Sequence, residues 1–562
     1  MQPLQRADVS TDEWRWVAFW AGVLVTLTLV PYAWAMAASN SDWAFMGALA
    51  NPQDSATYFS KIQQGMEGNW LYQLRYTPEE HEAAGLFTFY LLLGHVARFL
   101  GFSAVVIFHL ARIATSLLMF TSFYWLGAHI WRRLRPRRLF FMLTSVASGL
   151  GWLAILFVSD PDNLPPDLSI PEAFPLYAAY ANPHFPLSIA CLAFLAGIFL
   201  EVLRPGYDEA PRAENGGLFV LVISIILAII QPPALASIAG ALILMILITA
   251  LREREIPWHE IRWGSMIWLP ALPIGVYYWL VFSTNDVMGE FNQQNVTESP
   301  SILLTILGFG VLLVIAIPGI LRAVRRFERD GDQFMLLWLV FNSVALYAPY
   351  ELQRRFFIGL IIPLTFFAVR AVEDYWYERI APRWRPLTLV LAFVLMLPSN
   401  ILALGIPLVG TVADQELGAD VGIVVEQDYV DVYEWLDEVG TKDEVVLAAT
   451  KISLWIPART NLRVVYGHPF ESVPADRLET LMQDFFSGRD CATVLSPQEV
   501  GFSITYVVWG PKEREIALEA REDTPDREYQ DCIAYMFEEE EISPEQIKTF
   551  GDVTLYTLRE LR

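Results

Sequence analysis

Eleven apolar runs lie between residues 14 and 409, and almost none follows. They occupy 14–38, 103–130, 139–158, 184–202, 217–232, 234–251, 264–282, 301–321, 334–350, 356–371 and 387–409. Most approach the roughly 20 residues that cross a hydrocarbon layer of about 30 Å as a helix. A chain in lipid must satisfy its own backbone N–H and C=O groups, so runs of this length predict helices. The expected fold is a polytopic α-helical membrane protein of about 11 transmembrane helices with a C-terminal extracytoplasmic α/β domain. The 54% content of hydrophobic residues is beyond what a soluble core needs.

Arginines orient the runs. "WRRLRPRR" (131–138) places five together after the second run, which marks a cytoplasmic loop. The shorter run 85–100 carries His95 and Arg98 at helical spacing. Were it to span the membrane, the cluster would face outward, so it is expected to lie in the outer interface as an amphipathic helix. The remaining basic residues then fall on the same side: Arg204 and Arg212; Arg252, Arg254 and Arg262; Arg322, Arg325, Arg326 and Arg329; Arg379, Arg383 and Arg385. Loops 159–183 and 283–300 hold no Lys or Arg. A multi-pass plasma-membrane protein is expected, with its N-terminus cytoplasmic and its tail outside. Residues 1–410 form the transmembrane domain, carrying a first outer loop 39–102, and residues 411–562 form the outer domain.

That outer domain has 32 Asp and Glu against 13 Lys and Arg, a charge that argues against nucleic acid as a partner. Helical segments 428–440 and 475–486 alternate with strand-like "EVVLAA" (444–449), "RVVYG" (463–467), "ITYVVWG" (504–510) and "DVTLYTLRE" (552–560). The alternation predicts a largely parallel sheet. Cys491 and Cys532 could pair outside the cell or stand as separate core thiols. "GHPFESV" (467–473) is the most polar loop, but one His and one acid without metal-ligand spacing read as structural.

The first outer loop contains "NPQDSATYFSKIQQGMEGNW" (51–70). Asp54, Tyr58, Lys61 and Ile62 fall at helical spacing, so Asp54 suits a helix cap. It equally suits a general base at the membrane edge. In "YELQRRFFIGL" (350–360), Arg354 and Arg355 lie on the side otherwise poor in basic residues, where they serve either headgroup anchoring or phosphate binding. Lys61 is a second cation for that role. In "YANPHFPL" (180–187), Asn182 and His184 lie at an outer rim and, with Tyr58, are candidates for a cavity edge.

One helix, a long outer loop with an early Asp, the stretch "YTPEEHEAAGLF" (76–87), an interfacial "LFTFYLLLGHVARFLG" helix and a span ending in "WRRL" together resemble the GT-C superfamily of membrane glycosyltransferases. The similarity is to the branch of protein O-mannosyltransferases and aminoarabinose transferases. The resemblance implies a glycosyltransferase working in the bilayer, with a polyprenyl-phosphate-linked sugar as donor and a protein, lipid or glycan as acceptor on the outer face. It implies Asp54 as catalytic base; transfer from a lipid phosphate also needs cations on the departing phosphate, for which Arg354, Arg355 and Lys61 are the candidates. Glu79, Glu80, His81 and Glu82 become candidates for acceptor or metal binding, although the His-Pro-Pro turn usual in the family is replaced here by His81-Glu82-Ala83. Part of the class uses a divalent cation, which the acids present are compatible with. Rival readings are a transporter or lipid flippase, with broken helices and midplane charges, and an inactive scaffold.

Overall fold

The computed structural model describes residues 9–157, 164–203, 213–328, 331–524, 527, 529–539 and 543–558. Arg204, Arg212 and Arg329 lie outside the described residues. The chain forms two compact units. One comprises Met1–Pro31, His109–Tyr277 and Val296–Ile406; the other comprises Tyr32–Phe108, Tyr278–Asn295 and Pro407–Arg562. The first outer loop therefore belongs with the tail rather than with the helices, which departs from the boundary expected near residue 410.

In the helical unit and its continuations, eight described helices are long and apolar enough to cross a membrane: Thr11–Ala38, Ala104–Ile130, His184–Val202, Pro232–Glu253, Trp258–Thr284, Ile302–Arg326, Gln353–Arg379 and Arg385–Val412. Gly216–Ile230 and Asp332–Ala345 are shorter apolar helices. The protein is a multi-pass membrane protein. The run 139–158 departs from expectation: its helix ends at Val146, and a one-turn helix follows at Gly151–Ala154. The Asp167 carboxylate draws the chain out of the helix by accepting from Gly149 N and Gly151 N at 3.1 and 3.0 Å. Gly149 also passes so close to Gly308 that a Cβ would lie 2.1 Å from its carbonyl oxygen. Ile302–Arg326 is interrupted at Gly310 (φ 17, ψ −101), and the flanking residues are apolar rather than charged.

Polar contacts tie the helices to one another. Glu13 accepts from Tyr124 Oη at 2.5 Å and from Arg137 Nη1 at 2.9 Å. Near the opposite ends of the same two long helices, Arg112 donates to Thr28 Oγ1 at 3.4 Å and to Ala179 O at 2.8 Å. Arg135 pairs with Glu373 at 2.8 Å, and Arg322 pairs with Asp374. Arginines 135, 137 and 322 are thus all spent at the ends that the sequence assigns to one side.

In the second unit, α1 (Pro52–Glu67) and α2 (Thr88–Leu100) cross at two glycines. A Cβ on Gly65 would lie 2.2 Å from Leu91 O, and one on Gly94 would lie 2.1 Å from Ile62 O. Gly65→Ala is expected to force the crossing apart at a cost of about 1–3 kcal/mol, read as a lower melting temperature; an unchanged temperature would mean that the helices slide without loss. At 13 residues, α2 spans only ~20 Å, too short to cross a bilayer. It buries Tyr90, Leu91, Gly94 and Ala97 and leaves Leu92, Val96, Phe99 and Leu100 exposed.

β1 (Trp43–Phe45) of the first loop pairs antiparallel with β2 (Val424–Glu426) of the tail. The larger sheet holds β3 (Val445–Leu447), β4 (Arg463–Val464), β5 (Tyr506–Trp509), β6 (Ile547–Phe550) and β7 (Val553–Thr557) in the order β4-β3-β5-β7-β6. β3 is parallel to β4 and β5, whereas β7 is antiparallel to β5 and β6. The sheet is therefore mixed, not largely parallel: β6 is polar enough to escape notice, and a tight turn at Gly551 returns the chain as a hairpin. Side chains alternate across the strands. Val446, Tyr506 and Val508 enter a core with Tyr429, Tyr433, Trp455, Phe59 and Phe108, and Val445, Leu447 and Val507 enter another with Met482 and Phe485.

Cys491 and Cys532 are bonded, Cα to Cα 5.1 Å, across 41 residues. Closing a loop of that size restricts the unfolded chain by about 4 kcal/mol. Reduction is expected to lower the unfolding temperature of the tail, and a reduced protein as stable as the oxidised one would refute this.

Candidate active site in the loop and tail unit

The N-terminus of α1 is closed by Asn51, held in the left-handed region at φ 48, with Pro52 beginning the helix. Asn51 accepts from Asp54 N at 3.5 Å and donates through Nδ2 to Asp54 Oδ2. Capping is thus supplied by Asn51. Asp54 sits in the first turn, its side chain about one-third exposed, with Oδ1 3.6 Å from His468 Nε2.

His468 comes from the tail and is 2% exposed. Its loop is wound around Ser472, whose hydroxyl accepts from Gly467 N at 3.1 Å and His468 N at 3.2 Å. His468 Nδ1 accepts from Phe470 N and Glu471 N at 3.1 and 3.2 Å. Two backbone donors on Nδ1 leave the proton on Nε2. The imidazole therefore presents its Nε2 N–H toward the Asp54 carboxylate, beyond hydrogen-bond distance.

The same turn carries Glu471 inward. Lys61 Nζ donates to Glu471 Oε1 at 2.5 Å and to Thr57 Oγ1 at 2.9 Å, while Tyr72 Oη donates to Glu471 Oε2 at 2.7 Å. Lys61 Nζ also lies 4.2 Å from the centre of the Phe87 ring. Burial alone would raise the pKa of Glu471, but the Lys61 and His468 charges and the hydrogen bonds from Lys61 and Tyr72 outweigh it and hold the carboxyl below its usual range. Lys61 is fully buried, so its ammonium serves Glu471, which corrects the expectation that it binds a donor phosphate.

The other candidates are placed as follows. Tyr58 stacks on Tyr90 with ring centres 4.3 Å apart. His81 has both nitrogens engaged by backbone: Nδ1 donates to Glu79 O at 2.9 Å and Nε2 accepts from Leu74 N at 3.0 Å. Burial pushes its pKa down, as suits a neutral structural ring. Glu79 pairs with Arg477 at 3.2 Å, and Glu80 and Glu82 are exposed. The cluster 79–82 therefore does not fit a metal site, and among the described residues no group of three or more His, Cys, Asp or Glu could hold a metal ion.

In the helical unit, Asn182 and His184 are buried, at 0% and 5% exposure, rather than lying on an open rim. Arg355 Nη1 lies 3.4 Å from Glu172 Oε1. The neighbouring Arg354 is partly buried, and its Nε has no hydrogen-bond partner among the described residues.

The fold has solved counterparts. The oligosaccharyltransferase of Archaeoglobus fulgidus tethered to an acceptor peptide matches 88% of this chain over 69% of its own, at TM-score 0.52 and 12% identity. The Archaeoglobus fulgidus enzyme in complex with an inhibitory peptide and a dolichol-phosphate matches 87% over 69%, again at TM-score 0.52 and 12% identity. The chain shares the fold of these two structures. ArnT from Cupriavidus metallidurans, bound to undecaprenyl phosphate, matches 96% of this chain over 98% of its own at TM-score 0.47 and 14% identity. No protein-family model and no curated protein sequence matches.

Sequence reasoning singled out the loop of His468 and Glu471 and read it as structural. The available signal was "GHPFESV" (467–473) itself, a polar loop between a strand and a helix, a usual place for functional groups.

Proposed function

We propose that this chain is a membrane glycosyltransferase that moves a sugar from a polyprenyl-phosphate-linked donor to an acceptor hydroxyl. The observation that carries the reading is the Asp54 carboxylate facing the His468 N–H at 3.6 Å, in a chain of GT-C fold. The dolichol-phosphate in the complex of the Archaeoglobus fulgidus enzyme supports the donor class.

In this reaction Asp54 takes the proton from the acceptor hydroxyl as its oxygen bonds to the anomeric carbon of the donor sugar. The bond from that carbon to the phosphate oxygen breaks, and polyprenyl phosphate leaves. His468 orients the base. In the helical unit, Arg354 and Arg355 are cations whose guanidinium forks match phosphate oxygens, and Glu172 engages Arg355. Residues 79–82 do not enter the chemistry. The unit that holds Asp54 works on the extracytoplasmic side, the N-terminus is cytoplasmic, and the exposed apolar face of α2 rests in the outer interface.

The test is transfer of radiolabelled sugar from a panel of polyprenyl-phosphate sugars in proteoliposomes. Transfer from one donor class to an added acceptor supports the reading, and no transfer from any donor overturns it.

A further inference from the structure

The helical unit contains a second candidate ligand site, unrelated to Asp54. A cleft of about 540 Å³ opens between Arg135, Arg138, Met142, Tyr377 and Phe393. An apolar groove of about 610 Å³ shares Tyr377 and Leu389 with it and continues between Ile302–Arg326 and Arg385–Val412. Its wall on the second helix, from Thr388 to Leu395, covers ~11 Å of helix, most of the ~15 Å depth of one leaflet. Side chains leave this length unfilled, and the lining is hydrocarbon apart from Thr388 and the polar edges of Trp376 and Tyr377.

The mouth of the cleft is cationic. Arg138 lies over the Trp16 ring at 4.8 Å, its Nε has no hydrogen-bond partner, and it makes no ion pair among the described residues. Arg135 lies over the Tyr377 ring at 4.2 Å and shares its charge with Glu373. One guanidinium with donors to spare, a second beside it and an apolar groove most of a leaflet deep match the two halves of one molecule. We propose that the groove holds an anionic glycerophospholipid, its phosphate on Arg138 and Arg135 and one acyl chain between the two helices. Charge complementarity selects this occupant over a neutral lipid.

The test is native mass spectrometry of the full-length, delipidated protein titrated with phosphatidylglycerol or with phosphatidylcholine of the same chains. One phosphatidylglycerol is expected to be retained about tenfold or more over phosphatidylcholine, whose choline cancels the charge of the same phosphate. Arg138→Gln should abolish that preference, whereas Arg133→Gln, which removes the same charge from an exposed position outside the cleft, should keep it. Ala392→Phe, which fills the groove, should weaken retention of both lipids. Equal retention of the two lipids by the unaltered protein, or equal effects of Arg133→Gln and Arg138→Gln, would overturn the proposal. So would full retention by Ala392→Phe.

Discussion

Sugar transfer is expected to fall about 10²–10⁴-fold when Asp54 is replaced by Asn, the range a positioned general base supplies. The substitution keeps size, exchanges one acceptor oxygen for an amide donor and removes the group that takes the proton. Folding should be untouched, because Asn51 rather than Asp54 caps α1 and the Asp54 side chain is already about one-third exposed. Comparing kcat and KM in proteoliposomes, with a melting curve as control, separates the alternatives. A fall in kcat with unchanged melting supports the assignment. Unchanged kcat removes Asp54 from the chemistry while leaving the fold and the enzyme class standing. His468→Gln is expected to give a smaller fall, because the base remains and only its orienting N–H is disturbed.

The second large effect concerns stability. Glu471→Ala would strand the fully buried Lys61 ammonium without its counter-charge, and breaking such a pair costs about 3–5 kcal/mol. Replacing both partners by apolar residues, Lys61→Met with Glu471→Leu, is expected to recover most of that loss, because neither desolvated charge remains. A single variant that melts like the natural protein, or a double variant no better than the single, would refute the account. The pair also sets an acid limit. Since the folded pKa of Glu471 lies below its ordinary 4.5, the protonated form is favoured by unfolding. The stabilisation is complete above that ordinary value and is lost as pH falls through the lowered folded one. Acid unfolding followed by tryptophan fluorescence should therefore begin at a higher pH in Glu471→Gln than in the natural protein.

Both effects depend on residues the sequence treats unequally. Asp54 is noticeable because a carboxylate soon after an apolar run stands out locally, yet whether it capped a helix or faced a reactant was open. The conformation of Asn51, three residues earlier, shows that the cap is supplied by another residue. Lys61 looks equally available for a phosphate until the fold pairs it with Glu471, 410 residues away. The cluster Glu79, Glu80, His81 and Glu82 looks metal-binding as a string, but backbone groups of Leu74 and Glu79 occupy its only histidine.

The sequence by itself determined where the apolar helices lie, the run 139–158 apart, and which ends carry the arginines. Helix length and charge placement are local properties, and lipid enforces them without regard to the rest of the chain. Only the tertiary structure decided that the first loop and the tail form one unit and that Asp54 meets His468. A hydrogen bond or ion pair between distant residues depends on angstrom-level placement by two elements, and no periodicity in either element encodes the other.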